Sequence, residues 1–340
     1  MKGLKLGNKI IFVVNSLVAF LLLVSYILPY IPPKSFATLS VLSLSVPLLI
    51  LFNIIFFIYW LLRVKKQLLV SLFVLLLGWN YITSMYKFSS SKNDEDSNTI
   101  SVMSYNVRLF NVFSWLPGTT VKEDIIEFVY KENPDILCLQ EYPRGSAVKL
   151  DGYYNFNATH TRAARGGLVI FSKFPIIHSG SLEFPKTSNN AIFVDIIKNR
   201  DTIRVYNLHL QSSGIKTDVD NLNKESSGQL FKQVGTTFKA QQEQVEMLLE
   251  HKSKCDFKTL VIGDFNNTAY SYIYKEIKGD DLEDTFEEGG NGFGKTYDFK
   301  FFPLRIDFIL SDKAFTVKGF KTYDIKLSDH LPIKAILKIH

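Results

Sequence analysis

Asn106, Glu141, His209, Asp264, Asn266, Asp307, Asp329 and His330 bring together four carboxylates, two imidazoles and two amides, and each falls at or near the end of a short apolar run. A single strand-end carboxylate is ordinarily a turn residue, and an Asp-x-Asn after glycine, as in Gly263-Asp264-Phe265-Asn266, is ordinarily an Asx-turn. Eight such groups tied to separate apolar runs imply a shared site. An ionised carboxylate only accepts hydrogen bonds, whereas an amide donates and accepts. Such a set can hold a water and stabilise an oxyanion. It contains no cysteine and too few histidines for a zinc cage. Oxygen-rich ligation selects a hard cation, Mg²⁺ or Mn²⁺, which keeps waters and binds through one or two carboxylates.

The elements that must carry these residues are short. Leu260-Val261-Ile262 reads as a buried strand. Gly263 then lets the chain turn sharply or approach a ligand closely. Asp264 and Asn266 follow two apart, on one side of an extended chain. Further strands are expected over 100–106, 135–141, 164–172, 191–197, 203–210 and 305–310, with a last one running to about Ile339. Val121 to Glu132 carries Ile125, Ile126, Phe128 and Val129 at helical spacing, and Lys239 to Leu249 predicts a second helix. Residues 212–238 are polar and rich in Ser, Lys and Gln, and predict a mobile loop beside His209. Many short strands with few helices predict an α/β fold of two packed sheets flanked by helices.

The 340 residues are 46% hydrophobic, and the apolar residues are unevenly spread. Residues 10–86 are almost wholly apolar, and 100–340 have the composition of a soluble domain. Three transmembrane helices are expected, over about 10–30, 36–62 and 68–86. The third ends in Trp79, Tyr81 and Tyr86, an interfacial aromatic belt. Residues 1–86 thus form a membrane anchor, the polar, Ser-rich 87–99 a flexible linker, and 100–340 one further domain. Lys2, Lys5 and Lys9 precede the first span, and Arg63, Lys65 and Lys66 separate the second from the third. The positive-inside rule puts both groups in the cytoplasm, so three spans place residues after 87 outside it, and two spans would reverse this. The net charge of +6 suits a membrane surface or an anionic substrate and makes no specific argument for nucleic acid. Cys138 and Cys255 form neither a disulfide framework nor a zinc motif.

The blocks SYNV, LCLQEY, GGLVIFSK, YNLHLQS, VIGDFNN, RIDFIL and LSDHLPI occur in this order over residues 100–340. They resemble the endonuclease/exonuclease/phosphatase superfamily, which includes DNase I-like nucleases, neutral sphingomyelinases and inositol polyphosphate 5-phosphatases. The resemblance implies a four-layer α/β sandwich, two mixed sheets face to face with helices outside, here preceded by three transmembrane helices. It also implies roles. Glu141 is the principal metal ligand, with Asn106 close to metal and substrate and Asp329 beside the metal. Asp264 positions or deprotonates the attacking water, and Asn266 bonds a phosphoryl oxygen. Asp307 orients His330 on the scissile phosphate, and His209 assists the leaving group.

The expected activity is that of a membrane-tethered, metal-dependent phosphodiesterase of endonuclease or exonuclease type. Hydrolysis of phospholipid headgroups is the alternative, and a non-catalytic binding protein on the same fold is a third. Apurinic-site endonucleases carry a Tyr-x-Pro-Asn block where this chain has YNLHL, which sets it closer to the DNase I, sphingomyelinase and phosphoinositide branch. Arg162, Arg165 and Lys173 bracket the Gly166-Gly167 pair, and Arg165 is the expected phosphate contact. Phe299, Phe301 and Phe302 are expected to pack in the core.

Overall fold

In the computed structural model, which describes residues 4–88, 98–117, 120–159, 166–214, 227–299 and 302–340, the amino-terminal part is a bundle of apolar helices. These are α1 (Leu6–Ser25), α2 (Pro33–Val41), α3 (Val46–Leu62), α4 (Leu68–Leu77) and α5 (Trp79–Thr83). Tyr59 on α3 donates to Asn8 on α1 at 2.8 Å, and Asn53 donates to the Val18 carbonyl at 3.5 Å, so α3 runs antiparallel to α1. Asn15 donates to Ser71 at 2.7 Å and Tyr26 to the Val74 carbonyl at 2.9 Å, so α4 runs parallel to α1. The bundle therefore keeps Lys5, Lys9, Arg63, Lys65 and Lys66 at one end and delivers the chain to the other.

Three sequence expectations change here. Among the described residues only two stretches, Leu6–Tyr30 and Pro33–Leu62, are long and apolar enough to cross a membrane. The expected third span over 68–86 contains a helix of only 10 residues, about 15 Å long. It stops at Gly78, where the Tyr26 ring leaves no room for a side chain: a Cβ on Gly78 would sit 1.9 Å from the Tyr26 hydroxyl oxygen. The expected span over 36–62 is divided too. Its first part, α2, packs against the second domain, and the following 17 residues of α3 carry the exposed apolar surface. The expected linker begins inside folded structure, since β1 (Tyr86–Phe88) pairs with a strand of the second domain, and residues 89–97 lie outside the described residues.

Two six-stranded sheets form the second domain. The first runs β13 (Phe315–Thr322), β14 (Ile333–Ile339), β2 (Thr99–Asn106), β3 (Ile136–Pro143), β5 (Gly166–Ser172), β4 (Tyr154–Ala158). The second runs β10 (Leu282–Asp284), β12 (Asp307–Asp312), β9 (Lys258–Asp264), β8 (Asp201–His209), β7 (Asn190–Lys198), β6 (Ile176–Ser181). The short β11 (Asn291–Phe293) is the partner of β1. Ile100, Val102, Ile136 and Ile170 from one sheet meet Val194, Val205, Leu260 and Ile262 from the other in a dry central layer.

Helices cover both outer faces. α6 (Val121–Glu132) lays Val121, Ile125 and Val129 on the first sheet, carries Glu123 and Asp124 in its first turn, and ends at Asn133 in the left-handed region ahead of Pro134. α7 (Ser227–Lys252) and α8 (Tyr272–Lys278) cover the second sheet through Val245, Leu248 and Ile273. A final turn, α9 (Thr285–Gly289), is capped by Asp284. Two mixed sheets between helical layers thus match the expected fold class. Residues 227–238, expected as loop, are the amino-terminal half of α7. Their buried Val234 and Phe238 continue with Gln241, Val245 and Leu248 at helical spacing. Residues 215–226 lie outside the described residues.

β2 and β3 are parallel, joined through α6, and β8 and β9 are parallel, joined through α7. Gly263 lies within β9 rather than at a turn. Its φ is +138°, and a Cβ there would come 2.1 Å from the Leu208 carbonyl oxygen of β8. Gly263→Ala is therefore expected to cost on the order of 3 kcal/mol in stability. A denaturant midpoint equal to that of the parent protein would refute the close-approach role.

Candidate active site

Strand register assembles the site. Asn106 ends β2 opposite Gln140 of β3, His209 ends β8 opposite Asp264 of β9, and Asp264 faces Asp307, the first residue of β12. A bulge in β3 between Leu139 and Tyr142 places Glu141 at φ +50°, which turns its carboxylate toward the same rim. His330 precedes β14 and is held by a bridge to Tyr297.

The side chains converge. Asn106 Nδ2 donates to Asp264 Oδ2 at 3.0 Å and to Glu141 Oε1 at 3.3 Å, which ties the two sheets together at the site. His330 Nδ1 contacts the Asp307 oxygens at 2.9 and 3.1 Å, and its Nε2 lies 3.7 Å from Asp264 Oδ2. His209 Nε2 lies 3.7 Å from the same Asp264 oxygen and 3.9 Å from Glu141. Asp264 Oδ1 accepts from the Asn266 backbone N–H at 2.8 Å, so the Asx-turn geometry is present as well. Asn266 itself sits at φ +47° and its Nδ2 donates to the Leu210 carbonyl at 2.9 Å. Asp329 pairs with Arg108 at 3.3 Å. Arg162 and Arg165 lie outside the described residues. Lys173 points away from the rim and donates to the Asn133 carbonyl at 2.8 Å.

Burial sets the charge states. It raises the Asp264 carboxyl to about 6, against the opposing pull of His330. It also raises Glu141 and lowers His209, which favours a neutral imidazole there. Burial alone would lower His330, but Asp307 and Asp264 outweigh it and hold the imidazolium up to about 10. Four carboxylates against the His330 imidazolium and the Arg108 guanidinium leave a negative excess that a cation would neutralise. Asp264, Asp307 and His330 offer ligand atoms all within 4.8 Å of one another. Asp307 and His330 are committed to each other, however, so the oxygens left for a hard cation are those of Glu141, Asp264, Asp329 and Asn106. That donor set fits Mg²⁺ or Mn²⁺.

The supporting residues are not among those expected from sequence. Asn207, buried in β8, donates to the carbonyls of Leu139 and Val169 at 2.9 and 3.0 Å and accepts from Gln140 Nε2 at 2.7 Å. It fixes the spacing of the two sheets behind the site. Gln241 on α7 donates to the carbonyls of Gln211, Phe265 and Asn266 and accepts from Asn267, which shapes the Asp264–Asn267 loop. A polar residue inside an apolar strand or helix stripe, as at both positions, is the pattern that points to such a node.

The site opens into a cleft of about 430 Å³. Phe299 and Phe302 line it instead of packing in the core, and Phe301 lies outside the described residues.

Residues 103–330 match the endonuclease/exonuclease/phosphatase family. The chain belongs to that family. Its members hydrolyse phosphate esters. Residues 8–85 match a domain of unknown function (DUF8431). No curated protein matches the chain. Among solved structures it is similar to an endonuclease/exonuclease/phosphatase from Bacteroides vulgatus, at 18% identity and TM-score 0.56 over 71% of this chain and 99% of that one. It is similar to D. rerio TDP2 complexed with a single-strand DNA product, at 17% identity and TM-score 0.53 over 72% and 100%. It is also similar to a mannosyl-6-phosphatase from Bacteroides thetaiotaomicron, at 19% identity and TM-score 0.52 over 70% and 99%. At these identities the family relationship carries the fold and the reaction class, and substrate must be argued from this chain.

The folded imidazolium of His330 titrates near 10, against about 6.5 in an unfolded chain. Its contribution to stability is complete below pH 6.5 and is lost as pH rises through 10. The chelator-treated protein in detergent is expected to melt at lower temperature from pH 6.5 to 10, and Asp307→Asn to flatten that decline. An unchanged slope in the variant would show that Asp307 does not hold the proton.

Proposed function

We propose that the protein is a membrane-anchored, divalent-metal-dependent phosphodiesterase whose catalytic domain comprises residues 100–340. The observation that carries this is the meeting of Asn106, Glu141 and Asp264, near the carboxyl ends of strands from both sheets, with Asp307 and His330, which lie at and before the starts of two others. Glu141, Asn106 and Asp329 would hold Mg²⁺ or Mn²⁺. That cation, when bound, offsets the phosphate charge and stabilises the departing oxygen.

The chain's own groups supply the rest. Asp264 accepts the proton of the attacking water, with its carboxylate aimed by Asn106 and by the Asn266 backbone N–H. Asp307 fixes the His330 ring through Nδ1 and keeps it protonated, so Nε2–H faces the developing charge on a phosphoryl oxygen. His209, neutral by burial and 3.7 Å from Asp264, takes up the water proton from Asp264 and hands it to the leaving alkoxide, ending neutral again. Asn266 completes the oxyanion contacts with the amide N–H that Leu210 does not take.

Asp264→Asn and His330→Asn are each expected to lower kcat about 10²–10⁴-fold on a soluble diester such as bis(p-nitrophenyl) phosphate. Excess EDTA is expected to abolish activity and added Mg²⁺ or Mn²⁺ to restore it. Full activity in EDTA would refute the metal mechanism.

We also infer that α1 and α3 are the two bilayer-spanning helices; α4 and α5 are too short to count as a span, but they lead the chain along the bundle to the end opposite the lysines and arginines, which leaves the catalytic domain outside the cytoplasm. The lysines and arginines gathered at the far end of the bundle support this orientation. An alkaline phosphatase fused after His340 is expected to be active, and an inactive fusion would place the domain in the cytoplasm.

A further inference from the structure

The catalytic cleft does not open to bulk solvent alone. Its far wall is built by the anchor, through Leu44 in the 3-10 turn Leu42–Ser45 and Leu48 at the start of α3. Between this wall and the catalytic Asp264 and His330 stand Val234, Phe238, Phe299 and Phe302. The pocket is thus polar at one end and apolar at the other. Leu48 is also the first residue of an exposed stripe, Leu48, Leu51, Phe52, Ile55, Ile58 and Leu62, at helical spacing along α3. That stripe is the surface α3 presents to hydrocarbon, so the apolar end of the cleft is continuous with the lipid-facing side of the anchor.

The domain is fixed in this pose by two separate joints. On one side α2 packs on α7: the Lys34 backbone N–H donates to Gln242 at 2.9 Å, Lys34 pairs with Glu246, and Val41 packs with Val234 and Phe238. On the other side Arg305 donates to the Ser84 carbonyl at 3.2 Å, the Gly294 N–H to the Met85 carbonyl at 3.0 Å, and Tyr270 to the Tyr81 carbonyl at 3.2 Å. A tether of this kind holds the mouth of the cleft at the bilayer surface.

Charge narrows the ligand. Among the described residues the cleft is lined by no lysine or arginine. A polynucleotide track needs a basic groove with stacking aromatics, and a multiply phosphorylated headgroup needs clustered cations. Among the described residues neither is built, and Arg108 beside the cleft is committed to Asp329. The arrangement fits a single phosphodiester carried on an apolar body.

Resting on the phosphodiesterase reading, we propose that the substrate is a bilayer phospholipid with a zwitterionic or singly charged headgroup, and that Leu44 and Leu48 form the membrane-side wall of its binding site. In the reaction water adds to phosphorus, and the P–O bond to the leaving alcohol breaks with its electron pair staying on that oxygen. The proton lost by the water ends there, giving an alcohol and a phosphomonoester. Residence in the membrane raises the local substrate concentration.

The test uses the full-length protein in detergent micelles or vesicles with Mg²⁺ or Mn²⁺. The substrates are vesicles of phosphatidylethanolamine, phosphatidylcholine or sphingomyelin, plasmid and single-stranded DNA, and bis(p-nitrophenyl) phosphate. Hydrolysis of at least one of the three lipids is expected. In Leu48→Gln and in Leu44→Ser/Leu48→Gln the ratio of lipid to soluble-diester turnover should fall at least ten-fold. Ile58→Gln, on the same stripe but away from the cleft, should keep the parent ratio and controls for insertion and folding. Cleavage of DNA with the lipids untouched would overturn the substrate assignment and leave the phosphodiesterase reading standing. An unchanged ratio in the double variant would overturn the role of the anchor wall. Failure to cleave any substrate, the soluble diester included, would refute the phosphodiesterase reading itself.

Discussion

Two parallel strand pairs, one in each sheet, are the constraint on which the site depends. β2 with β3, and β8 with β9, must each be closed by a helical crossover, and parallel pairing puts the carboxyl ends of both partners on one edge. Packing the two sheets face to face then brings four strand ends together: Asn106, Glu141, His209 and Asp264. The antiparallel β12 adds Asp307 by starting where β9 ends. The charge consequences follow from the same packing. Carboxylates held between two dry sheets cannot be solvated singly, so they share an imidazolium, an amide and a place for a cation.

Buried amides keep this convergence in register. Asn207 binds two carbonyls of the opposite sheet and Gln140 binds Asn207, so the sheets cannot slide without breaking several hydrogen bonds in a dry layer. Asn106 spans from Asp264 to Glu141 at the rim. Relative to an all-aliphatic seam these polar nodes add specificity: they admit one alignment of the two sheets, the one that closes the site.

Much of this was legible in the sequence because apolar runs bounded by polar residues mark strand ends directly. The helix over Val121–Glu132 was equally plain, with Ile125 and Val129 one turn apart and Asn133-Pro134 as a stop. What escaped was decided by contacts distant in the chain. Most of Pro33–Val41 reads as the start of a span only by continuity with the apolar residues that follow it, and the facing surface of α7 makes it a docking helix. Gly78 reads as a tolerated glycine in a span until the Tyr26 ring occupies the space beside it. The 227–238 stretch looks like loop by composition, yet Val234, Phe238 and Gln241 sit on one helical face. Phe299 and Phe302 show the same ambiguity at a smaller scale, since apolar residues serve equally to fill a core or to line a cleft.

Arg305 gives the joint between the two parts of the molecule a broader meaning. Its guanidinium is buried against Asp284 at 2.5 Å, lies over the rings of Phe286 and Phe308, and reaches out of the domain to the Ser84 carbonyl. Two residues further on stands Asp307. The chain thus passes from the joint with the amino-terminal helices to the candidate site within three positions of a single strand entry. The composition boundary near residue 99 is consequently not a structural boundary. A hydrolase domain separated from these helices would carry a buried cation with one acceptor fewer. The amino-terminal helices and the hydrolase domain thus share a continuous polar joint that a cut at residue 99 would leave half-satisfied.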